Sequence, residues 1–228
     1  MGDKDREIAV AIDGPMGSGK STIAREIARR LGYRHVDTGA MYRAVAAAAL
    51  RRGVSTNDAE GLAALAARVR VELPPGGDGV RVYVDDEDVT AGLRTVLVNR
   101  VVGRVARVPG VRAALRDTQR ALGKAGGVVM EGRDIGTVIL PDAAVKVFLT
   151  ASAEERARRR QAELAAAGQD VPLDEVRRIE AEDDEAATKR EVAPLVVAPH
   201  ATVIDSTDLA VDDVVARVLA LVDRARGL

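Results

Sequence analysis

The chain has 228 residues, of which 47% are hydrophobic and 30% are charged, so it can form one medium-sized domain with a substantial core. Its 34 Lys and Arg residues nearly balance 35 Asp and Glu residues, which excludes a strong overall field for nucleic acid. The absence of cysteine excludes disulfides and thiolate metal sites. The charged N-terminus and the lack of an apolar run near the roughly 20 residues of a membrane span predict a cytoplasmic protein.

Short runs rich in Val and Ile alternate with longer segments of helical period along the chain. This alternation predicts βα units around a parallel sheet, and therefore an α/β fold. Five strands are expected, at residues 8–12, 34–37, 127–131, 145–150 and 202–205.

A different pattern interrupts these units between the second and third strands. Residues 69–73 and 80–85 alternate around the sequence PPGGDG, which predicts an antiparallel hairpin with its turn at 74–79. A hairpin does not belong in a doubly wound sheet. We therefore expect a small inserted subdomain at about residues 62–104, with the core formed by residues 1–61 and 105–228.

Helical patterns dominate the rest of the chain. One helix is expected at residues 111–122, and two more within 153–190, separated by a Gly- and Pro-containing turn at 166–172. The spacing of Val and Leu predicts a last amphipathic helix at 210–226.

The first strand leads into a glycine-rich loop with the spacing GxxxxGK[ST], and a helical pattern follows at once. Such a loop points backbone N–H groups and a helix N-terminus at phosphates, which favours binding of ATP. Lys20 is expected to bridge the outer phosphates, and Ser21 to offer its hydroxyl to Mg²⁺. Asp37 is a second candidate for Mg²⁺, through a water molecule, although a helix-capping role fits it equally. The expected ATP-binding residues are Gly14, Pro15, Met16, Gly17, Ser18, Gly19, Lys20, Ser21 and Thr22.

A second substrate should bind at the carboxyl ends of the other strands, where open α/β sheets hold ligands. Thr38 follows the second strand and can cap a helix that carries Arg43. Arg133 and Asp134 lie in a glycine-flanked loop after the third strand. No Asn-Lys-x-Asp motif of guanine-specific switch proteins follows a later strand, which favours a kinase over a GTPase.

Four segments, GPMGSGKST, DTGAMYR, EGRDIGTVILPDA and REVAPL, occur in this order over nearly the whole chain. Together they resemble bacterial cytidylate (CMP) kinases. The resemblance implies a P-loop kinase fold with a five-stranded parallel core, a helical lid at about 153–190 and a monophosphate-binding insert with antiparallel strands. It also implies a monomeric enzyme that phosphorylates CMP and dCMP with ATP and Mg²⁺. From the balanced charge and the lack of a long apolar run, no nucleic-acid or membrane partner is expected.

The same resemblance implies roles for individual residues in binding the acceptor. Arg43, Arg133 and Arg190 match the arginines that grip the acceptor phosphate. Thr38 stands against the cytosine, and Asp134 and Arg112 match the other base contacts. A carboxylate for the exocyclic amine and an arginine for the ring acceptors are what a cytosine-selective pocket needs.

Two of these assignments leave alternatives open. Taken alone, Arg112 in GVRAALRDTQR fits a solvated helix face better than a ligand contact. Tyr42 can pack against the nucleotide or belong to the core.

The lid sequence EERARRR places Arg156 and Arg160 on one helical face, with Arg159 beside them. At least one of these arginines is expected to clamp the phosphoryl group during transfer, whereas Arg158 is expected on the surface. The expected catalytic residues are Lys20, Arg133, Arg156 and Arg160.

One segment departs from the family. The resembled family usually holds the ribose hydroxyls with an Arg, an Asp and a Ser. Aligned without gaps on Arg190, this chain has Asp183, Ala187 and Gly103 at those positions; a shifted register that uses Arg177 or Arg178 is the alternative. Residues 183, 187 and 190 are spaced to share a helical face, which would bring an acid near Arg190. Because these ribose-binding side chains are missing, an alternative function stays open: a kinase of the same fold that acts on a different, even non-nucleotide, acceptor. A nucleotide-gated binding protein without turnover is a third reading.

Overall fold

The computed structural model describes residues 7–74, 81–166 and 168–228. Most of the predicted turn at 74–79 therefore lies outside the described residues. The chain divides into two compact units: residues up to Tyr33 and from Gly126 onward form the first, and Arg34–Ala125 form the second. The predicted insert at about 62–104 falls within the second unit, and its boundaries stay a prediction.

Five strands form the main sheet, as predicted. They are β1 (Ala9–Asp13), β2 (Arg34–Asp37), β6 (Val128–Gly132), β7 (Val145–Thr150) and β8 (Thr202–Asp205). Their order is β2-β6-β1-β7-β8, and the pairs β1–β6, β1–β7 and β7–β8 are parallel. β1 and β6 begin and end one residue later than predicted.

The first unit has four helices: α1 (Lys20–Leu31), α6 (Ala153–Ala166), α7 (Leu173–Thr188) and α8 (Val211–Arg226). Helices α1 and α8 pack against the Val- and Ile-rich strands, whereas α6 and α7 pack against each other. Val10 and Ile12 of β1, Ile27 of α1 and Val215 of α8 are completely buried in one apolar cluster. This packing fixes the carboxyl end of β1 against the start of α1, where the glycine-rich loop lies.

The second unit combines four helices with a small antiparallel sheet. The helices are α2 (Thr38–Arg51), α3 (Ala59–Arg68), α4 (Val96–Arg107) and α5 (Pro109–Lys124). The strands are β3 (Val71–Glu72), β4 (Tyr83–Val84) and β5 (Glu87–Asp88), in the order β3-β4-β5. The predicted antiparallel pair is confirmed as β3 and β4.

The sequence did not predict β5, because the expected strand ran on to Asp85. Asp85 and Asp86 both have positive φ, at 50° and 70°, and form a two-residue turn between β4 and β5. Hairpin turns of this kind usually carry Asn-Gly or Asp-Gly, so the two aspartates did not indicate a turn in the sequence.

Among the described residues, none of the helices combines the length and the apolar character that a membrane span needs.

Candidate active site

The glycine-rich loop between β1 and α1 is tightly enclosed. A Cβ added at Gly14 would clash with the carbonyl oxygen of Leu149 in β7. One at Gly17 would lie 2.8 Å from both the Arg156 carbonyl oxygen and a Glu180 carboxylate oxygen. Gly17 and Gly19 have φ of 72° and 87°, which favours glycine. The N-cap residue of α1 is Gly19, which has no side chain to bind the N–H groups of the first turn, so these groups can bind an anion.

Lys20 lies across this loop rather than pointing away from it. Its Nζ donates to the Pro15 carbonyl oxygen over 2.6 Å and lies 3.4 Å from Ser18 Oγ. The ammonium is therefore held against the loop.

Ser21 has a partner that the sequence analysis missed. Its hydroxyl donates to Glu131 Oε2 over 2.9 Å, and Glu131 is only 3% exposed. Glu131 is the fourth residue of β6, next to β1 in the sheet. A hydroxyl beside a carboxylate supplies the hard oxygen ligands that Mg²⁺ prefers. The signal in the sequence that pointed to Glu131 was its position at the end of a predicted buried strand.

Asp13, the last residue of β1, fixes the loop that carries Arg133 and Asp134. Its carboxylate accepts hydrogen bonds from the N–H groups of Ile135 and Gly136, both over 2.7 Å. Burial raises the pKa of Asp13 to about 6, although the two backbone donors act in the opposite direction. Asp134 is buried in the same loop.

Arg133 contacts an acidic side chain of α7. Its Nη2 lies 3.4 Å from Asp183 Oδ2, whereas its buried Nη1 has no hydrogen-bond partner among the described residues. Arg190 lies beyond α7, which ends at Thr188. The expectation that Arg190 shares a helical face with residues 183 and 187 is therefore wrong, because the helix stops before it.

The other predicted acceptor-binding residues belong to the second unit. Arg112 is only 4% exposed, and its guanidinium lies 5.3 Å from the centre of the Tyr42 ring. Its Nη1 donates to the Ala106 carbonyl oxygen over 3.0 Å. The alternative of a solvated helix face for Arg112 is therefore wrong, because this face of α5 is covered. Tyr42 itself is buried.

The beginning of α2 brings three predicted residues close together. Asp37 caps the helix by accepting a hydrogen bond from the Ala40 N–H over 3.1 Å. Thr38 is the first helical residue, so the expectation that it caps the helix is wrong. A Cβ at Gly39 would lie 3.0 Å from both Arg43 Nη1 and Asp37 Oδ1.

The three lid arginines of α6 are held in different ways. Arg156 is buried, donates to the carbonyl oxygens of Met16 and Ala151 over 3.0 and 3.2 Å, and pairs with Asp184 over 2.7 Å. Arg159 binds the hydroxyl and carbonyl oxygens of Ser206 over 3.0 and 2.8 Å. Arg160 contacts Glu163, whose side chain is 59% exposed.

The sequence pattern that describes the Cytidylate kinase family matches residues 10–224. The chain belongs to the cytidylate kinase family. A relative named Cytidylate kinase from Pelotomaculum thermopropionicum is 51% identical over 218 residues, covering 95% of this chain and 96% of the relative. Another from Symbiobacterium thermophilum is 50% identical, covering 96% and 97%. A third from Carboxydothermus hydrogenoformans is 45% identical, covering 94% and 97%.

This member of the cytidylate kinase family contains two further polar contacts that the sequence analysis did not identify. Ser206 Oγ lies 3.0 Å from the Thr150 carbonyl oxygen and 3.4 Å from that of Ser18, so it links β7 to the phosphate loop. Asp184 holds Arg156 at the same loop. Each contact joins segments that are far apart in the chain, so no local sequence pattern predicts it.

Proposed function

We propose that the protein transfers the γ-phosphoryl group of ATP to CMP and dCMP, forming the nucleoside diphosphates. One observation carries the proposal: relatives named Cytidylate kinase share about half of their residues with this chain over nearly its whole length. The comparisons offer no support for a different acceptor.

The phosphate loop accounts for binding of the donor. Its backbone N–H groups and the uncapped first turn of α1 can surround the phosphates, and Lys20 is held against the same loop. The acceptor needs no general base, because a nucleoside monophosphate is a dianion near neutral pH and its own oxygen can attack. Positioning and neutralisation of charge then supply the catalysis.

The roles in acceptor binding follow those that the family resemblance implies. In the proposal, Arg43, Arg133 and Arg190 hold the phosphate. Asp134 accepts from the exocyclic amine of cytosine and Arg112 donates to its ring acceptors. The stacking of Arg112 on Tyr42 supports this role, because it holds the guanidinium in a fixed orientation. Thr38 completes the base contacts.

The lid arginines are proposed to differ in role. Arg160 pairs with the exposed carboxylate of Glu163, so it can turn toward a transferring phosphoryl group. Arg156 is bound to Met16 and Asp184, and we assign it to shaping the loop around the donor.

Ser21 and Glu131 are the proposed protein ligands for Mg²⁺, with Asp37 a further candidate through water. Their oxygen atoms fit a hard cation, and the ion would neutralise phosphate charge when bound. A monomeric state and a cytoplasmic location are part of the same proposal, since both are expected for this type of enzyme.

The test is a coupled assay of ADP release with CMP, dCMP, UMP, AMP and shikimate as acceptors. We expect turnover with CMP and dCMP at rates well above those of the other three. Turnover of another acceptor without turnover of either cytidine nucleotide would refute the proposal.

A further inference from the structure

Helix α7 contains a run of four acidic residues, 182–185, whose side chains contact two different sets of partners. Glu182 and Glu185 pair with neighbours on their own segment, Arg178 and Lys189, and these side chains are largely exposed. Asp183 and Asp184 instead contact arginines of the candidate site. The run therefore has an outer pair that is solvated and an inner pair directed at phosphate-binding machinery.

The contact between Asp183 and Arg133 is incomplete. The distance of 3.4 Å from Nη2 to Oδ2 exceeds the usual length of a charge-assisted hydrogen bond. The side chains of Arg133 and Asp183 are 21% and 25% exposed, so water reaches the pair. The buried Nη1 of Arg133 has no hydrogen-bond partner in the part of the chain that the structure describes. Arg133 thus retains donor capacity that a larger anion could use.

We propose that Asp183 lowers the affinity of the enzyme for its acceptor, because its carboxylate occupies the position beside Arg133 that the acceptor phosphate must take or approach. The inference rests on the proposed function, in which Arg133 binds that phosphate. Asp183 is then an internal competitor that sets the KM, and it takes no part in the chemical step.

The direction of the effect follows from charge. A carboxylate and a phosphate are both anions that favour the planar fork of an arginine, so they compete for the same donors. When the phosphate binds, it must either displace Asp183 or lie within a few ångströms of a like charge. Removal of this one charge from a partly solvated site should increase affinity by about threefold to tenfold.

The experiment compares Asp183→Asn with the unchanged protein in steady-state kinetics at saturating ATP, using CMP and dCMP separately. We expect the KM for both acceptors to fall by about threefold or more, with kcat altered less than about twofold. The matched control is Glu182→Gln, which removes the same charge from the exposed neighbouring position and should leave both KM values unchanged. Asp183→Ala provides a second variant if Asp183→Asn folds poorly.

A KM that rises for both acceptors would overturn the inference, since Asp183 would then be orienting Arg133. A rise for CMP alone would also overturn it and would indicate a contact with the ribose 2′-hydroxyl. An unchanged KM would show that the ion pair has no effect on binding. In each of these cases turnover by the unchanged protein leaves the proposed function intact, whereas failure to use either acceptor would refute that function and this inference with it.

Discussion

The hydrogen bond between Ser21 and Glu131 makes Glu131 a candidate for controlling the metal requirement. Glu131→Gln keeps the shape and can still accept from the hydroxyl, but it loses the charge that attracts a divalent cation. We expect the Mg²⁺ concentration for half-maximal activity to rise by about tenfold or more. The measurement is a Mg²⁺ titration of the rate, with a thermal melt to check folding. An unchanged Mg²⁺ dependence would contradict the assignment.

Arg160 and Arg156 differ in how firmly they are bound, and their substitutions should differ accordingly. Arg160→Ala removes the proposed clamping charge, whose ion-pair partner Glu163 is exposed, so we expect kcat to fall by about a hundredfold or more with a smaller loss of thermal stability than Arg156→Ala causes. Steady-state kinetics and a thermal melt measure the two effects. A fall in kcat of less than about fivefold would exclude a clamping role for Arg160.

Arg156→Ala should instead destabilise the protein. It leaves the Asp184 carboxylate and the Met16 carbonyl oxygen without the donor that binds them. Loss of one partner of a buried ion pair typically costs about 3 kcal/mol of unfolding free energy. Urea denaturation measures this cost. A variant as stable as the unchanged protein would contradict a stabilising role for the contacts of Arg156 with Asp184 and Met16.

Helix α7 carries a buried carboxyl group whose protonation should link stability to pH. Glu180 is 3% exposed, and neither of its carboxylate oxygens has a hydrogen-bond partner among the described residues. Burial raises its pKa to about 7 from an ordinary value of 4.5; Arg156 and Arg160 oppose the rise, while Asp184 and Glu163 add to it. The folded protein therefore binds this proton more tightly than the unfolded chain. The resulting stability is fully present below about pH 4.5 and is lost as the pH rises through 7.

Glu180→Gln should remove this dependence. We expect the variant to match the unchanged protein near pH 5 and to exceed its unfolding free energy by roughly 1–2 kcal/mol at pH 8. Urea denaturation at the two pH values gives the comparison, and Glu182→Gln serves as the exposed control. If the unchanged protein and Glu180→Gln lose the same unfolding free energy between pH 5 and pH 8, the Glu180 carboxyl does not cause the pH dependence.

Elements with strong local signals were predictable from the sequence, and long-range pairings were not. The Val- and Ile-rich strands and the glycine-rich loop were identified because periodicity and spacing are local properties. The burial of Arg112 depends on what packs against α5, which its helical period does not reveal. The pairing of Arg133 with Asp183 joins residues 50 positions apart, so only the folded chain brings them together.

Across the whole molecule, the three positions at which the family resemblance places the ribose contacts carry Asp183, Ala187 and Gly103. Ala187 is completely buried and has an apolar side chain, and Gly103 has none. Asp183 contacts Arg133. Since Ala187 and Gly103 offer no polar side chain and Asp183 is directed at Arg133, we expect dCMP to be used within about threefold as efficiently as CMP. Comparison of kcat/KM for the two nucleotides measures this, and a many-fold preference for CMP would show that other residues hold the ribose.

The most direct test of the whole account is to identify the product. The protein is incubated with ATP, Mg²⁺ and CMP, and the nucleotides are separated by anion-exchange chromatography, with Lys20→Ala as the matched control. We expect ADP and CDP in equal amounts, and a rate at least about a hundredfold lower in the variant. Release of inorganic phosphate from ATP without formation of CDP would contradict the account.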